Sequence, residues 1–181
     1  MKPRLDSLVS SPAAGFDQPF EMMTACHERM QRTLELLQRL RAHVASHGAD
    51  EQARQAARDV MRYFDRAAPQ HHQDEELHVF PPLVAKGDPA ALALVQRLRQ
   101  DHVRMEAGWS ETRRLLDDIA EGRLATLSSA DKAVLDAFSS LYAGHIDAEE
   151  EVAYPGAAAL LDAAAVQAMG QEMSRRRGGP K

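Results

Sequence analysis

Cysteine is almost missing from this chain: Cys26 stands alone among 181 residues. An internal disulfide and a thiolate zinc site, which needs several sulfur ligands, are both excluded. Aromatic residues are scarce at 5%, and no segment shows the period-two alternation of a strand, so no sheet is expected. No apolar run approaches the roughly 20 residues of a membrane span. Residues 1–18 carry Lys2 and Arg4 but no apolar core, so no secretory signal is visible. The expectation is a soluble, cytoplasmic protein without a membrane partner. A basic excess is also missing: 22 Lys+Arg against 27 Asp+Glu leave a net charge of −5. That balance argues against the basic face of a nucleic-acid binder.

What the chain does have is apolar and helical. Hydrophobic residues make up 44% and charged residues 27%, a globular composition, and the length fits one domain. Ala, Leu, Gln, Glu and Arg are abundant and favour helices. Eight histidines beside an acidic excess are the unusual feature, and together they point to metal.

Periodicity divides the chain into hairpins. Met23, Met30, Leu34, Leu37, Leu40 and Val44 recur at helical spacing and predict a first helix from about Phe20 to His47, ended by Gly48. Asp50 caps a second, through Ala53, Ala57, Val60, Met61 and Phe64, which Pro69 kinks or restarts and Pro81-Pro82 stops. Asp88-Pro89 opens a third, through Leu94, Leu98, Met105, Trp109, Leu115 and Leu116 to near Gly122. Ser128 or Ser129 caps a fourth, through Val134, Leu135, Phe138, Leu141 and Tyr142 to about Tyr154-Pro155. Ala157 to Met173 makes a shorter fifth helix, and the tail from Arg175 to Pro180 is expected to fray. The predicted fold is all-α: an up-down-up-down four-helix bundle over residues 19–156, between a flexible segment at 1–18 and a short C-terminal helix with a basic tail at 157–181.

An internal repeat narrows the function. His71 to Pro81 and His145 to Pro155 align without gaps as H-x-x-x-E-E-x-x-x-[FY]-P. His27-Glu-Arg-Met-Gln31 pairs more weakly with His102-Val-Arg-Met-Glu106. The offsets are 75 residues from His27 to His102 and 74 from His71 to His145, so helices one and two look like a hairpin duplicated as three and four. His and Glu at i and i+4 lie one turn apart on one face and reach the same point. Three helices offer that pair: His71/Glu75, His102/Glu106 and His145/Glu149. The first offers His27 alone. Counting from the turns, His27 and His71 sit roughly 30 Å from the Gly48 turn, and His102 and His145 agree in height to roughly 6 Å.

Ionised carboxylates buried without partners would be prohibitive. Two divalent cations offset three carboxylates and leave about one positive charge, which a bridging hydroxide neutralises. Imidazole and carboxylate ligands suit iron or manganese, and the lack of thiolates disfavours zinc. Seven protein ligands exceed one tetrahedral metal but suit two irons with an open position.

The pattern resembles the hemerythrin-like, HHE cation-binding family, over about Phe20 to Pro155. The two H-x-x-x-E-E…[FY]-P segments carry the resemblance, with a lone His before them and H-x-x-x-E between. It implies a non-haem centre of two iron ions, oxo- or hydroxo-bridged, in a four-helix bundle. The roles implied are O2 binding or sensing, nitric oxide handling, or iron storage and repair. By position, His27 and His71 would ligate one iron, His102, Glu106 and His145 the other, with Glu75 and Glu149 bridging. Oxygen-carrying hemerythrins have a histidine where this chain has Glu106. An anionic ligand there strengthens the hold on ferric iron and argues against reversible O2 carriage.

Competing assignments stay open within this set. His72/Glu76 is also an i, i+4 pair, although only the His71 register aligns Phe80 with Tyr154 and Pro81 with Pro155. Glu150 competes with Glu149 as a bridge. Gln31 reads as a hydrogen-bonder beside the site, Trp109, Phe64 and Phe138 as walls, and Tyr142 as core or as a hydrogen-bond donor to the site. Cys26 reads as a small buried hydrophobe and His78 as peripheral. His43 and His47 complement the end of the first helix. The functional expectation is a di-iron protein taking O2, nitric oxide or peroxide, with a homodimer left open. The alternatives are a di-iron oxidase or peroxidase, and a helical interaction module with zinc or no metal.

Overall fold

A computed structural model describes residues 15–178. Most of the segment expected to be flexible, residues 1–14, and the last residues of the tail, 179–181, lie outside them. Every regular element among the described residues is helical. No helix of these residues is long and apolar enough to cross a membrane.

Helix α1 (Pro19–His47) buries one stripe, Met23, Met30, Leu34, Leu37, Leu40 and Val44, with His27 in the middle of it. Helix α2 (Glu51–Phe64) begins where the Asp50 carboxylate accepts the Ala53 N–H at 2.9 Å, satisfying a donor the helix leaves free. The chain turns at Asp65-Arg66 and restarts as α3 (Ala67–Asp74), with Pro69 in its first turn, where a proline breaks no helical bond.

A π-helical turn, Glu75–Val79, follows directly and leads into α4 (Phe80–Lys86). Pro81 and Pro82 therefore do not stop this helix. They occupy its first turn, and the chain leaves it at Gly87, whose φ of 72° a side chain would resist. The widened turn just before Pro81 relieves the clash of a proline ring with the carbonyl four residues back.

The second half repeats these devices. Helix α5 (Pro89–Ala120) is capped by Asp88, which accepts from the Ala91 N–H at 3.0 Å. Ser128 and Asp131 form a reciprocal capping box at the start of α6 (Ser129–Ser140). After a break at Leu141-Tyr142 come α7 (Ala143–Ala148), a second π turn (Glu149–Ala153) and α8 (Tyr154–Ala158), which again runs through its proline. Helix α9 (Ala163–Arg176) starts later than expected, under an Asp162 cap. Arg176 and Arg177 are not frayed: their guanidiniums meet the buried Asp74 carboxylate at 2.6 Å and 2.5 Å.

Helices α1 and α5 each pack against α2 and α6. Two apolar clusters result. One gathers Met30, Leu34, Phe64, Met105, Leu116, Phe138 and Tyr142; the other gathers Met23, Val79, Phe80, Leu98, Tyr154, Met169 and Met173. Each fully buried side chain of this kind stabilises by about 1.5–3 kcal/mol. Between the two clusters lies a polar layer that such packing must clamp: His27, His71, Glu75, His102, His145 and Glu149, all buried.

Candidate metal centre

Each polar residue of this layer interrupts an apolar stripe. His27 falls between Met23 and Met30 on α1, and His102 between Leu98 and Met105 on α5. His71 and His145 lie in the last turns of α3 and α7, and Glu75 and Glu149 open the two π turns. Those turns explain the motif's spacing. Five residues advance an α-helix by about 500°, far from one face. The π turn instead bonds the Phe80 N–H to the Glu75 carbonyl and the Tyr154 N–H to the Glu149 carbonyl. Each aromatic ring is thereby stacked one turn beyond its glutamate, facing inward.

The six side chains form two groups, and both glutamates belong to both. His27, His71, Glu75 and Glu149 bring four ligand atoms within 4.8 Å of one another, as do His102, His145, Glu75 and Glu149. The oxygens divide between the groups. Glu75 Oε1 lies 3.1 Å from His71 Nε2, while Glu75 Oε2 lies 3.3 Å from His102 Nε2. Glu149 Oε2 lies 3.2 Å from His27 Nε2, and Glu149 Oε1 lies 2.9 Å from His145 Nε2. Each group thus offers two imidazole nitrogens and two carboxylate oxygens around one point, here called a seat.

These atoms lack ordinary partners. His102 Nε2, His145 Nε2, Glu75 Oε2 and both Glu149 oxygens are buried with no hydrogen bond. Native interiors rarely leave such atoms unpaired, and cations in the two seats would satisfy them. Without metal, the groups answer one another electrostatically. Burial pushes Glu149 up, as does Glu75, but His102, His145 and His27 outweigh them and hold it at about 2. Glu75 is likewise held well below the carboxylate range: burial raises it, and His71 and His102 overcome that. Burial lowers His102, yet Glu149 and Glu75 lift it to about 9. Burial also opposes His71, which Glu75 raises well above its ordinary value. Metal binding would displace these imidazole protons.

The outer ring nitrogens are held by a second set of residues. Glu150 Oε1 meets His27 Nδ1 at 2.8 Å, and Glu76 Oε1 meets His102 Nδ1 at 3.3 Å. Glu76 is itself fixed by Arg99 at 2.9 Å. Asp101 faces His145 Nδ1 at 3.6 Å. Carboxylates on the far nitrogen fix ring orientation and raise ligand basicity. The repeat places Cys26 opposite Asp101, and Cys26 interacts with His71. Burial pushes this thiol up, but His71 and Arg29 prevail and lower it below its ordinary range.

Glu106 lies outside both groups. It is exposed, on the side of α5 that carries the exposed Val103. Four residues carry a regular helix about 40° past one turn, and from His102 that rotation points away from the buried Met105. Gln31, its partner in the repeat, is exposed for the same reason, not a hydrogen-bonder beside the site. His72 stacks on His102 with centroids 4.1 Å apart. Burial, with His102 adding to it, pushes His72 down to about 3. Tyr142 packs against Phe64 and Phe138 as core. Trp109 donates to Asp65 at 3.1 Å. His78 pairs with Glu172 at 2.7 Å and His43 with Asp50 at 3.0 Å, both away from the centre.

Sequence reasoning missed Tyr154 as a polar member of the layer, and missed Glu76, Glu150 and Asp101 as ring holders. The signals were present: the doubled Glu-Glu in each repeat, the Tyr at one [FY] position, and an acidic residue just before His102.

Comparison with known proteins agrees with this geometry. An uncharacterized protein of Haemophilus influenzae is 33% identical over 165 residues, covering 91% of this chain and 92% of the relative. The sequence pattern of the hemerythrin HHE cation-binding domain matches residues 18–157, a span that contains all six clustered residues, both π turns and every ring-holding carboxylate; the chain belongs to the hemerythrin HHE cation-binding domain family.

Proposed function

We propose that this protein holds two iron ions in the paired seats and binds a small ligand, O2 or nitric oxide, for sensing, storage or detoxification, or handles the iron itself. The observation that carries the reading is the division of the Glu75 and Glu149 oxygens between two imidazole pairs. A single ion would use one such pair. A donor set of imidazole and carboxylate without thiolate favours iron, with manganese or zinc less suited. The helices carrying these ligands fit an up-down-up-down four-helix bundle.

Bound iron would supply redox electrons and an exchangeable coordination position. The chain's own residues do the rest. Glu75 and Glu149 span the two seats, and His27, His71, His102 and His145 fill their corners. Glu150 and Glu76 hold two of the rings in register. The apolar clusters on either side keep bulk water from the layer.

Anaerobic titration with ferrous iron tests the reading. About two ions per chain are expected, with tight binding lost from one or both seats in Glu75→Ala and Glu149→Ala. Saturation at a single ion in the unaltered protein would sink the dinuclear claim. Stable spectral changes with nitric oxide or air support a ligand-binding role, whereas multiple turnover of peroxide with an electron donor supports an oxidase or peroxidase.

A further inference from the structure

Four of the six large apolar side chains exposed among the described residues share one side of the molecule: Leu77 on the first π turn, Val84 on α4, and Leu92 and Val103 on α5. Val103, 67% exposed, stands between two shallow grooves and lines both. Leu77 lies in one groove, Val84 and Leu92 in the other, and Arg99 borders each. Exposed apolar surface gathered in this way marks a face that meets another protein.

The duplicated hairpin supplies a control within the same chain. Leu92, Gln96, Gln100, Val103, Ala107 and Ser110 recur along α5 at three and four, are all exposed, and carry no charge. On α1, 75 residues earlier, the stripe that matches Gln96 to Ser110 reads Glu21, Ala25, Glu28, Arg32 and Glu35. Glu28 and Arg32 pair there at 3.7 Å in water. Leu77 likewise has Glu151 as its counterpart, 74 residues later. A helix face that stays in water carries charge, as α1 does. The α5 stripe, about 27 Å long, lacks it at the equivalent positions, and the cores of protein interfaces are depleted of charge in the same way.

The charges left at the edge of the stripe indicate the occupant. Arg99 lies about 6 Å before Val103 along α5 and Glu106 about 4.5 Å after it, and at 100° per residue both fall on the same edge. Glu76 holds Arg99 there at 2.9 Å. A twofold axis crossing α5 at Val103 brings the α5 of a second copy alongside, antiparallel, and sets Arg99 of each copy opposite Glu106 of the other. The edge is therefore complementary to itself, whereas a partner of one charge sign would be repelled at one of the two positions.

We propose that the face centred on Val103 is a homodimer interface, in which the α5 helices of two copies pair antiparallel about that axis. It does not depend on what the metal seats hold.

Sedimentation equilibrium of the full chain tests this. Up to about 0.5 mM the unaltered protein should reach twice its chain mass of 20.0 kDa. Val103→Glu and Leu77→Glu copy the residues of the twin repeat, so the fold accepts them. The first sets like charges against each other at the axis and should weaken association by about a hundredfold or more, the second by about tenfold. Val152→Glu, at an exposed site on the other repeat, should change nothing. Glu106→Arg should weaken association, and Arg99→Glu/Glu106→Arg, which exchanges the two charges, should restore it. Val103→Cys with diamide as oxidant should give a disulfide between copies, mapped by mass spectrometry. Ser110→Cys, roughly 20 Å from its own counterpart across the axis, should not. A monomer throughout that range, a dimer indifferent to Val103→Glu, or a Val103→Cys dimer that diamide leaves unlinked overturns the proposal.

Discussion

The Glu150 carboxylate meets Nδ1 of His27 at 2.8 Å, on the edge of the ring opposite the nitrogen that faces the cluster. Its counterpart Glu76 takes the same place on His102. In each case the carboxylate comes from the second helical arm of one hairpin and the histidine from the first arm of the other, so each hairpin aligns a ring of its twin. Carboxylates in this role are typically worth about 10–100-fold in metal affinity. Glu150→Ala should weaken one seat by that factor and Glu76→Ala the other, measured by competition with a chromophoric chelator. Equal affinity in both variants and wild type would show that the contacts do not tune binding.

The metal-free protein should lose stability as the solution becomes alkaline. His102, at about 9, and His71, also raised, carry folded values above the unfolded imidazole. Their contribution is complete below about pH 6.5 and disappears as pH rises through 9. Glu149, at about 2, and the depressed Glu75 act at the other end. Their contribution is present above about pH 4.5 and is lost as pH falls toward 2. His72, pushed down to about 3, also costs stability as pH falls below about 6.5. Maximum apoprotein stability should therefore lie near pH 5–7. Metal binding has the opposite preference, because its imidazole ligands must be neutral. Thermal melts of apoprotein and iron-loaded protein should diverge from pH 6.5 to 9.5. An apoprotein melting temperature that rises across this window contradicts the account.

Asp74 is fully buried, and its two oxygens are held by Arg176 and Arg177 from the far end of the chain. Arg176 also binds Glu172, which takes His78. Helix α9 is thereby tied to the residue just before Glu75. Removing the partners of a buried charge costs about 3–5 kcal/mol, so Arg176→Ala/Arg177→Ala should unfold at roughly 6–20 °C lower temperature. Either single change should cost less, since one guanidinium remains. A double variant within about 1 kcal/mol of wild type in urea denaturation would mean that water solvates Asp74 instead.

The sequence disclosed the helices and the ligands for the same reason: both are written in spacing. Met23, His27, Met30 and Leu34 recur at three and four, and the duplicated H-x-x-x-E-E pattern marked His71, Glu75, His145 and Glu149 as sharing a job. Three things were harder to see. A π turn depends on one shifted hydrogen bond, and a helical repeat of 3.6 hides it, so Pro81 and Pro155 read as stops. Glu106 satisfies the same i, i+4 rule as Glu75, and only the burial of Met105 and exposure of Val103 show which way α5 is turned. The ties of Arg176 and Arg177 to Asp74 span about a hundred residues, and no local pattern announces them.

The register of α3 gives the sharpest test of the centre. His71 and His72 are adjacent, and each has a glutamate four residues on. His71 Nε2 lies 3.1 Å from Glu75 Oε1 in the buried layer, while His72 stacks on the outside of His102 and lines a cleft between α3 and α5. His71→Ala should therefore remove one of two imidazoles from its seat and release that metal to a chelator. His72→Ala should retain both metals, because it takes away a stacked neighbour and no ligand atom. Its effect should be confined to the ring stacked on His102, at unchanged iron content. Metal analysis after dialysis against a mild chelator separates the two outcomes, and loss of metal from His72→Ala with retention in His71→Ala would reverse the register.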